Sequence, residues 1–233
     1  SSGYHFTFVG KDGAIPPAEA WTRAGARGGE AALIFYGAAS NEIVDEIGLE
    51  ILESARERRL RAVIAATTDA QREFLLSLGF EASLAGVVSL ESLKRKAGAD
   101  FEWPNAMPRL PDAKKDIEAF KVAVRRFQDR TMKPFGAAVG ALLRSPDNPR
   151  GAPEIVFERS GQDTLGVTSA LVKPFTGRVV YCEDLKGRRF SFYAPQVWTR
   201  QRRILMPTAE IRGTHLCNAY EATRMNDLIA AGI

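Results

Sequence analysis

Cysteine and histidine are scarce, two of each in 233 residues. Cys182 and Cys217 have no C-x-x-C spacing. Their isolation argues against a disulfide framework and against a structural zinc centre, so no metal site is expected and a reducing, cytoplasmic compartment fits. No apolar run approaches the roughly 18–20 residues of a membrane span. The first residues, SSGYHF, place Gly, Tyr and His where a secretory signal has a basic and then an apolar segment. They also lack a Met and any recognisable leader, and the chain is read as a piece of something longer. Low-complexity tracts are absent. Neither sign of charge dominates: 32 basic against 28 acidic groups give a net +4 and a pI near 9.2. That mild excess suits a ligand carrying phosphates but is too diffuse for a nucleic-acid footprint. Neither nucleic acid nor membrane is expected as a partner.

What is present has the ordinary globular balance, 45% hydrophobic and 26% charged, in a chain long enough for one sizeable core. YHFTFVGKDG is a short strand-like run ending in a Gly turn, and Pro16 and Pro17 open a helix through Trp21. AALIFYG, residues 31–37, is a continuous apolar run closed by Gly37, the composition of a strand buried on both faces. Ile43, Val44, Ile47, Ile51, Leu52 and Ala55 then fall on one helical face. RAVIAATT is the next buried strand, and DAQREFLLSLGF the next helix, stopped by Gly79. This β-α-β-α succession with short connections predicts an α/β fold, a doubly wound parallel sheet of Rossmann-like type.

After AGVVSLESL the pattern changes. KRKAGADFEWPNAMPRLPDA is polar, carries three prolines and reads as an excursion over the surface. DIEAFKVAVRRFQDR is amphipathic and GAAVGALLRS is a second helical candidate, giving a helical insertion over about residues 97–150. EIVFER, residues 154–159, and GRVVYCE return to strand composition, with SGQDTLGVTSALV as turn and helix between them. EIRGTH is read as a last strand and NAYEATRMNDLIAAG as a final helix. One pattern occurs twice: Gly-x-x-Phe-(Ser/Thr)-Phe, at Gly3, Phe6, Thr7 and Phe8, and again at Gly187, Phe190, Ser191 and Phe192.

The stretches EIVFERSGQDTLGVTSALVKPFTGRVVYCEDLKG and RRILMPTAEIRGTHLCNAYEATRMNDLIAAG resemble the nucleotide-binding half of medium-chain reductases, with the crotonyl-CoA carboxylase/reductase group of enoyl-CoA reductases as the nearest kin. The resemblance covers about residues 25–233, and that group also has a long helical excursion before the strand at 154–159. SSGYHFTF resembles the segment after a glycine-rich strand end in the same family. Residues 1–24 are therefore expected to be an N-terminal arm, the tail of a preceding unit, and residues 25–233 most of a second one. A tandem of this kind implies the reductase region of a multifunctional acyl-CoA-processing protein. Its partners would be an acyl-CoA substrate, reached through the full-length protein, and the adjoining catalytic domains; a homo-oligomer is compatible with it.

A dinucleotide site needs small residues at the first strand–helix turn, where the pyrophosphate sits on the helix N-terminus. Gly37 holds the first glycine position, but Ser40 and Ile43 stand where the family has further Gly. Glu42, Asp45 and Glu46 crowd the same turn. There they favour the helix dipole and repel a pyrophosphate, so the site reads as degraded. After the second strand Ala66, Thr67 and Thr68 replace the acidic residue that bonds an NAD ribose. With Arg72 they would suit the extra phosphate of NADPH; alternatively Thr68 caps the next helix and Arg72 is solvated. His215, in Gly213-Thr214-His215, resembles a Gly-Ser-His stretch whose His lines the substrate pocket in the carboxylating reductases. Glu183 and Asp184 read as strand-end surface charge, and the cluster Arg188, Arg189, Arg200, Arg202 and Arg203 as a loop near CoA phosphates, domains or solvent.

Two functions compete. One is an enzyme part, the NADPH-binding half of an acryloyl- or crotonyl-type enoyl-CoA reductase, inactive when isolated. The other is a duplicated module without cofactor that serves docking or dimerisation, with Phe101, Trp103 and Trp198 set against neighbouring domains.

Overall fold

The computed structural model describes residues 4–9, 21–22, 24–37, 41–80, 84–103, 111–158, 165–173, 177–182 and 209–210. Among the described residues seven strands form one sheet: β1 (Tyr4–Val9), β2 (Ala31–Tyr36), β3 (Arg61–Ala66), β4 (Gly86–Ser89), β5 (Ile155–Glu158), β6 (Arg178–Cys182) and β7 (Ala209–Glu210). Their order is β4-β3-β2-β5-β6-β1-β7, and every pairing is parallel. Tyr4–Val9 thus shares a sheet with strands of residues 25–233, lying between β6 and β7.

The alternation of side chains along the strands builds two cores. Ala32, Ile34 and Tyr36 of β2 and Ala62, Ile64 and Ala66 of β3 face one way. They pack on Ile51, Leu52 and Ala55 of α1 (Glu46–Glu57) and on Leu75 of α2 (Asp69–Ser77). Leu33, Phe35, Val63 and Ala65 face the other way. Against them lie Leu90 of α3 (Leu90–Ala97), Phe127 of α4 (Ile117–Phe127), Phe135, Val139 and Leu143 of α5 (Lys133–Leu143), and Val167 of α6 (Leu165–Leu171). With helices on both faces, a strand has no solvated side, which is why β2 and β3 read as unbroken apolar runs. Each large side chain so buried contributes roughly 1.5–3 kcal/mol. The fold is doubly wound, as the β-α-β-α pattern predicts.

Three expectations change. Ile43 and Val44 are not on the helical face: they precede α1 and are 46% and 53% exposed. Asp45 caps that helix from an extended backbone conformation, so the apolar periodicity is cut before it reaches them. Phe101 and Trp103 are no docking surface. Phe101 is buried, and Trp103 packs on Phe35, Phe101 and Phe135 with its ring centroid 4.9 Å from that of Phe135. Glu102 between them accepts from Arg126 and Arg130, which together hold its carboxyl below the usual range and tie the excursion to the helices. Finally, α4 and α5 are not separate helices but one run joined by a π-helical turn, Gln128–Met132. Pro134 lies just beyond that turn; a proline ring clashes with the carbonyl four residues back, and the wider turn relieves the clash. Trp198 lies outside the described residues. No helix among them is long and apolar enough to cross a membrane.

Candidate functional site

The strand order reverses between β2 and β5, the point where an open α/β sheet leaves a crevice at its carboxyl ends. Gly37 stands there, directly after β2, with φ +90. Residues 37–45 separate Tyr36, the last residue of β2, from Glu46, the first of α1.

Asp45 closes this connection. Its Oδ1 accepts from the Gly48 amide at 3.1 Å, capping α1, and its Oδ2 accepts from the Gly37 amide at 3.0 Å. The Asp45 amide donates to the Tyr36 hydroxyl at 3.0 Å, and that hydroxyl donates to the Ile43 carbonyl at 3.0 Å. A Cβ on Gly48 would lie 2.7 Å from the Tyr36 ring, so only glycine fits between capping carboxylate and ring. Of the three acidic residues, Asp45 is therefore the cap, Glu46 opens the helix, and Glu42 lies on the exposed approach.

The neighbouring connection, from β3 to α2, is organised by Gln71, fully buried. Gln71 Oε1 accepts from the amides of Thr67 at 2.9 Å and Thr68 at 3.2 Å, while its Nε2 donates to the Glu42 carbonyl at 2.9 Å. Thr68 Oγ1 accepts from the Gln71 amide in return, completing a capping box. A Cβ on Gly37 would run into the Gln71 carboxamide. The structure thus brings Gly37, Thr67 and Thr68 together around one side chain. Arg72 pairs with its neighbour Glu73 at 2.6 Å on the surface. Ser40 and His215 lie outside the described residues, as do Glu183, Asp184 and the arginine cluster from Arg188 to Arg203.

No protein-family model and no curated protein matches this chain. Among solved structures, a crotonyl-CoA carboxylase/reductase AntE variant in complex with NADP aligns at 26% identity and TM-score 0.50, covering 76% of this chain and 36% of that one. A second crotonyl-CoA carboxylase/reductase aligns at 21% identity and TM-score 0.53, covering 91% of this chain and 42% of that one. The chain shares an α/β Rossmann-like fold with part of each. It spans 36% and 42% of their lengths, so what those proteins do as wholes is not a property of this chain.

Sequence reasoning reached Gly37, Thr67 and Thr68 but missed Tyr36, Gly48 and Gln71. The Thr68-x-x-Gln71 spacing is a capping-box signature and would have found Gln71. Nothing local in sequence marks Tyr36, whose hydroxyl acts only because the chain turns back over the end of β2.

Beside this site, α2 and α3 meet at Asp69. Its carboxylate accepts from the hydroxyls of Ser89, which caps α3, and of Ser92, and pairs with Arg95 at 2.6 Å. These hydrogen bonds, Ser89 first, lower its pKa from 3.8 to about 2. A lowered carboxyl stabilises the fold above its unfolded pKa, and that contribution is lost as pH falls from about 4 through about 2. With 27% of the side chain exposed, screening reduces it to about 1–2 kcal/mol. Urea unfolding of wild type and Asp69→Asn should differ by this much at pH 5 and converge only as pH falls below about 2; a pH-independent difference would exclude the linkage.

Proposed function

We propose that this chain is the nucleotide-binding-type portion of an NADPH-dependent enoyl-CoA reductase acting on acryloyl-CoA within a multifunctional acyl-CoA-processing protein, of the kind represented by propionyl-CoA synthase. In this reading its own cofactor site is degraded and the unit supports the reductase without carrying its hydride. The likeness to a crotonyl-CoA carboxylase/reductase supports the family of chemistry. The observation that carries the supporting role is the Gly37–Asp45–Gly48 closure: amides that a pyrophosphate needs already serve a carboxylate. As they stand, these residues do not fit a dinucleotide. The remaining proposal follows from the same reading: an acyl-CoA reached through the full-length protein, adjoining catalytic domains as partners, and a cytoplasmic location.

The chemistry of the whole adds a hydride to the β-carbon of the enoyl thioester and a proton to the α-carbon. Calorimetric titration of the isolated chain with NADPH, NADH and CoA tests this unit's part. No binding up to about millimolar ligand, weaker than about 4 kcal/mol, is the expected result. Micromolar NADPH binding would overturn the degraded site. Full acryloyl-CoA reductase turnover by the parent protein after removal of this region would overturn the supporting role.

A further inference from the structure

We infer that Asp45 and Gln71 occupy, from within the chain, the places at the β2–α1 crevice that a dinucleotide's pyrophosphate and ribose take in this fold. The unit then excludes a dinucleotide by filling its site, while the fold that makes the site is intact. This rests on the reading above that the unit binds no cofactor.

In doubly wound sheets the pyrophosphate accepts from backbone amides at the N-terminus of the first helix, and the ribose is held at the end of the second strand. Here the Gly48 amide, in the first turn of α1, and the Gly37 amide, just past β2, both donate to one carboxylate, Asp45. A carboxylate offers such amides the same charge-assisted acceptors as a phosphoryl oxygen. It is tethered, so it occupies the place without the entropic cost a free ligand meets. The end of β3 is bridged in parallel. Gln71 reaches from the Thr67 and Thr68 amides to the Glu42 carbonyl, with its carboxamide against the Cα of Gly37. A ribose entering between these connections would displace a fully buried side chain and strip partners from its donors. Tyr36 holds the arrangement from below, bonding both the Asp45 amide and the Ile43 carbonyl.

The test uses Asp45→Asn and Asp45→Gly in the whole chain, with inorganic pyrophosphate and then NADPH as probes, read by the backbone amide resonances of Gly37 and Gly48. Asparagine keeps the helix cap and removes the charge; glycine removes both. In wild type the two amides should stay unmoved up to about millimolar pyrophosphate, a level typical of sites weaker than any specific one. In Asp45→Gly both should shift, with affinity for pyrophosphate at least about tenfold above wild type, the screened remainder of a close like-charge repulsion. Asp45→Asn should show a smaller gain at the same two amides and decides the matter if the glycine variant does not fold. If folded Asp45→Asn and Asp45→Gly bind no better than wild type, or shift other amides only, the inference is overturned while the non-binding reading stands. If wild type binds NADPH at micromolar strength with movement of Gly37 and Gly48, the non-binding reading itself fails.

Discussion

Trp21→Ala is expected to destabilise the protein by about 4 kcal/mol, a large share of the roughly 5–15 kcal/mol that holds a domain folded. The indole is fully buried on the face of the sheet that carries α1 and α2. Its ring centroid is 5.0 Å from that of Phe157 in β5, the strand on the far side of the switch point from β2. Its Nε1 donates at 2.8 Å to Ser54 of α1, whose hydroxyl in turn donates to the Ile51 carbonyl. One side chain from the segment before β2 therefore joins α1 to β5. Truncation leaves a cavity under both and deprives a buried hydroxyl of its donor. Trp21→Phe keeps most of the apolar volume and loses the hydrogen bond, so it should cost about 1–2 kcal/mol. Urea unfolding with unchanged m separates the two variants. A loss below about 1 kcal/mol for the alanine variant would mean that residues before β2 are dispensable to the core. A chain trimmed to begin at Gly25, which lacks this ring and β1, should be no more stable than Trp21→Ala.

The contrast between what was and was not legible follows from the range of the interactions. β2 and β3 announce themselves because burial on both faces demands apolar residues at every position, and that demand is local. The two ends of α1 were not equally readable. Ile51, Leu52 and Ala55 keep helical spacing and are buried. Ile43 and Val44 share the spacing yet lie outside the helix, since hydrophobic period carries no information about where a cap interrupts it. Phe101 and Trp103 were hidden by polar neighbours; Trp103 packs on Phe35 and Phe135, dozens of residues away in each direction, and Phe101 packs on Trp103. The site shows the same division. The acidic crowding after Gly37 was visible. That one of those acids, Asp45, bonds both Gly37 and Gly48 required the strand end and the helix start to be placed together by the fold.

Gly151→Ala should cost about 3–5 kcal/mol, from two separable causes. Gly151 has φ +63, where an L-residue is strained by about 1–2 kcal/mol. A Cβ there would also lie 2.6 Å from the Cα of Gly140 and 2.7 Å from its carbonyl carbon, and backbone inside α5 cannot yield as a flexible side chain can. Gly79 isolates the first cause: its φ is +73 and a Cβ would meet nothing within 4 Å, so Gly79→Ala should cost only about 1–2 kcal/mol. The excess at Gly151 then measures the contact between α5 and the turn that follows it. That turn is held by Asn148, whose side chain donates to the Ala152 carbonyl at 2.9 Å and accepts from the Ala152 amide at 3.1 Å. It delivers the chain to β5, where the Glu154 amide bonds the Ala31 carbonyl at 2.7 Å and the register with β2 is set. A shift of the turn away from Gly140 therefore strains the pairing of β5 with β2 at its amino end, the edge of the sheet opposite the crevice. In amide spectra Gly151→Ala should perturb Glu154 and Ala32, where β5 joins β2, whereas Gly79→Ala, which crowds no backbone, should leave β5 unchanged. Equal costs at the two glycines would show that α5 and the turn do not touch as closely as described.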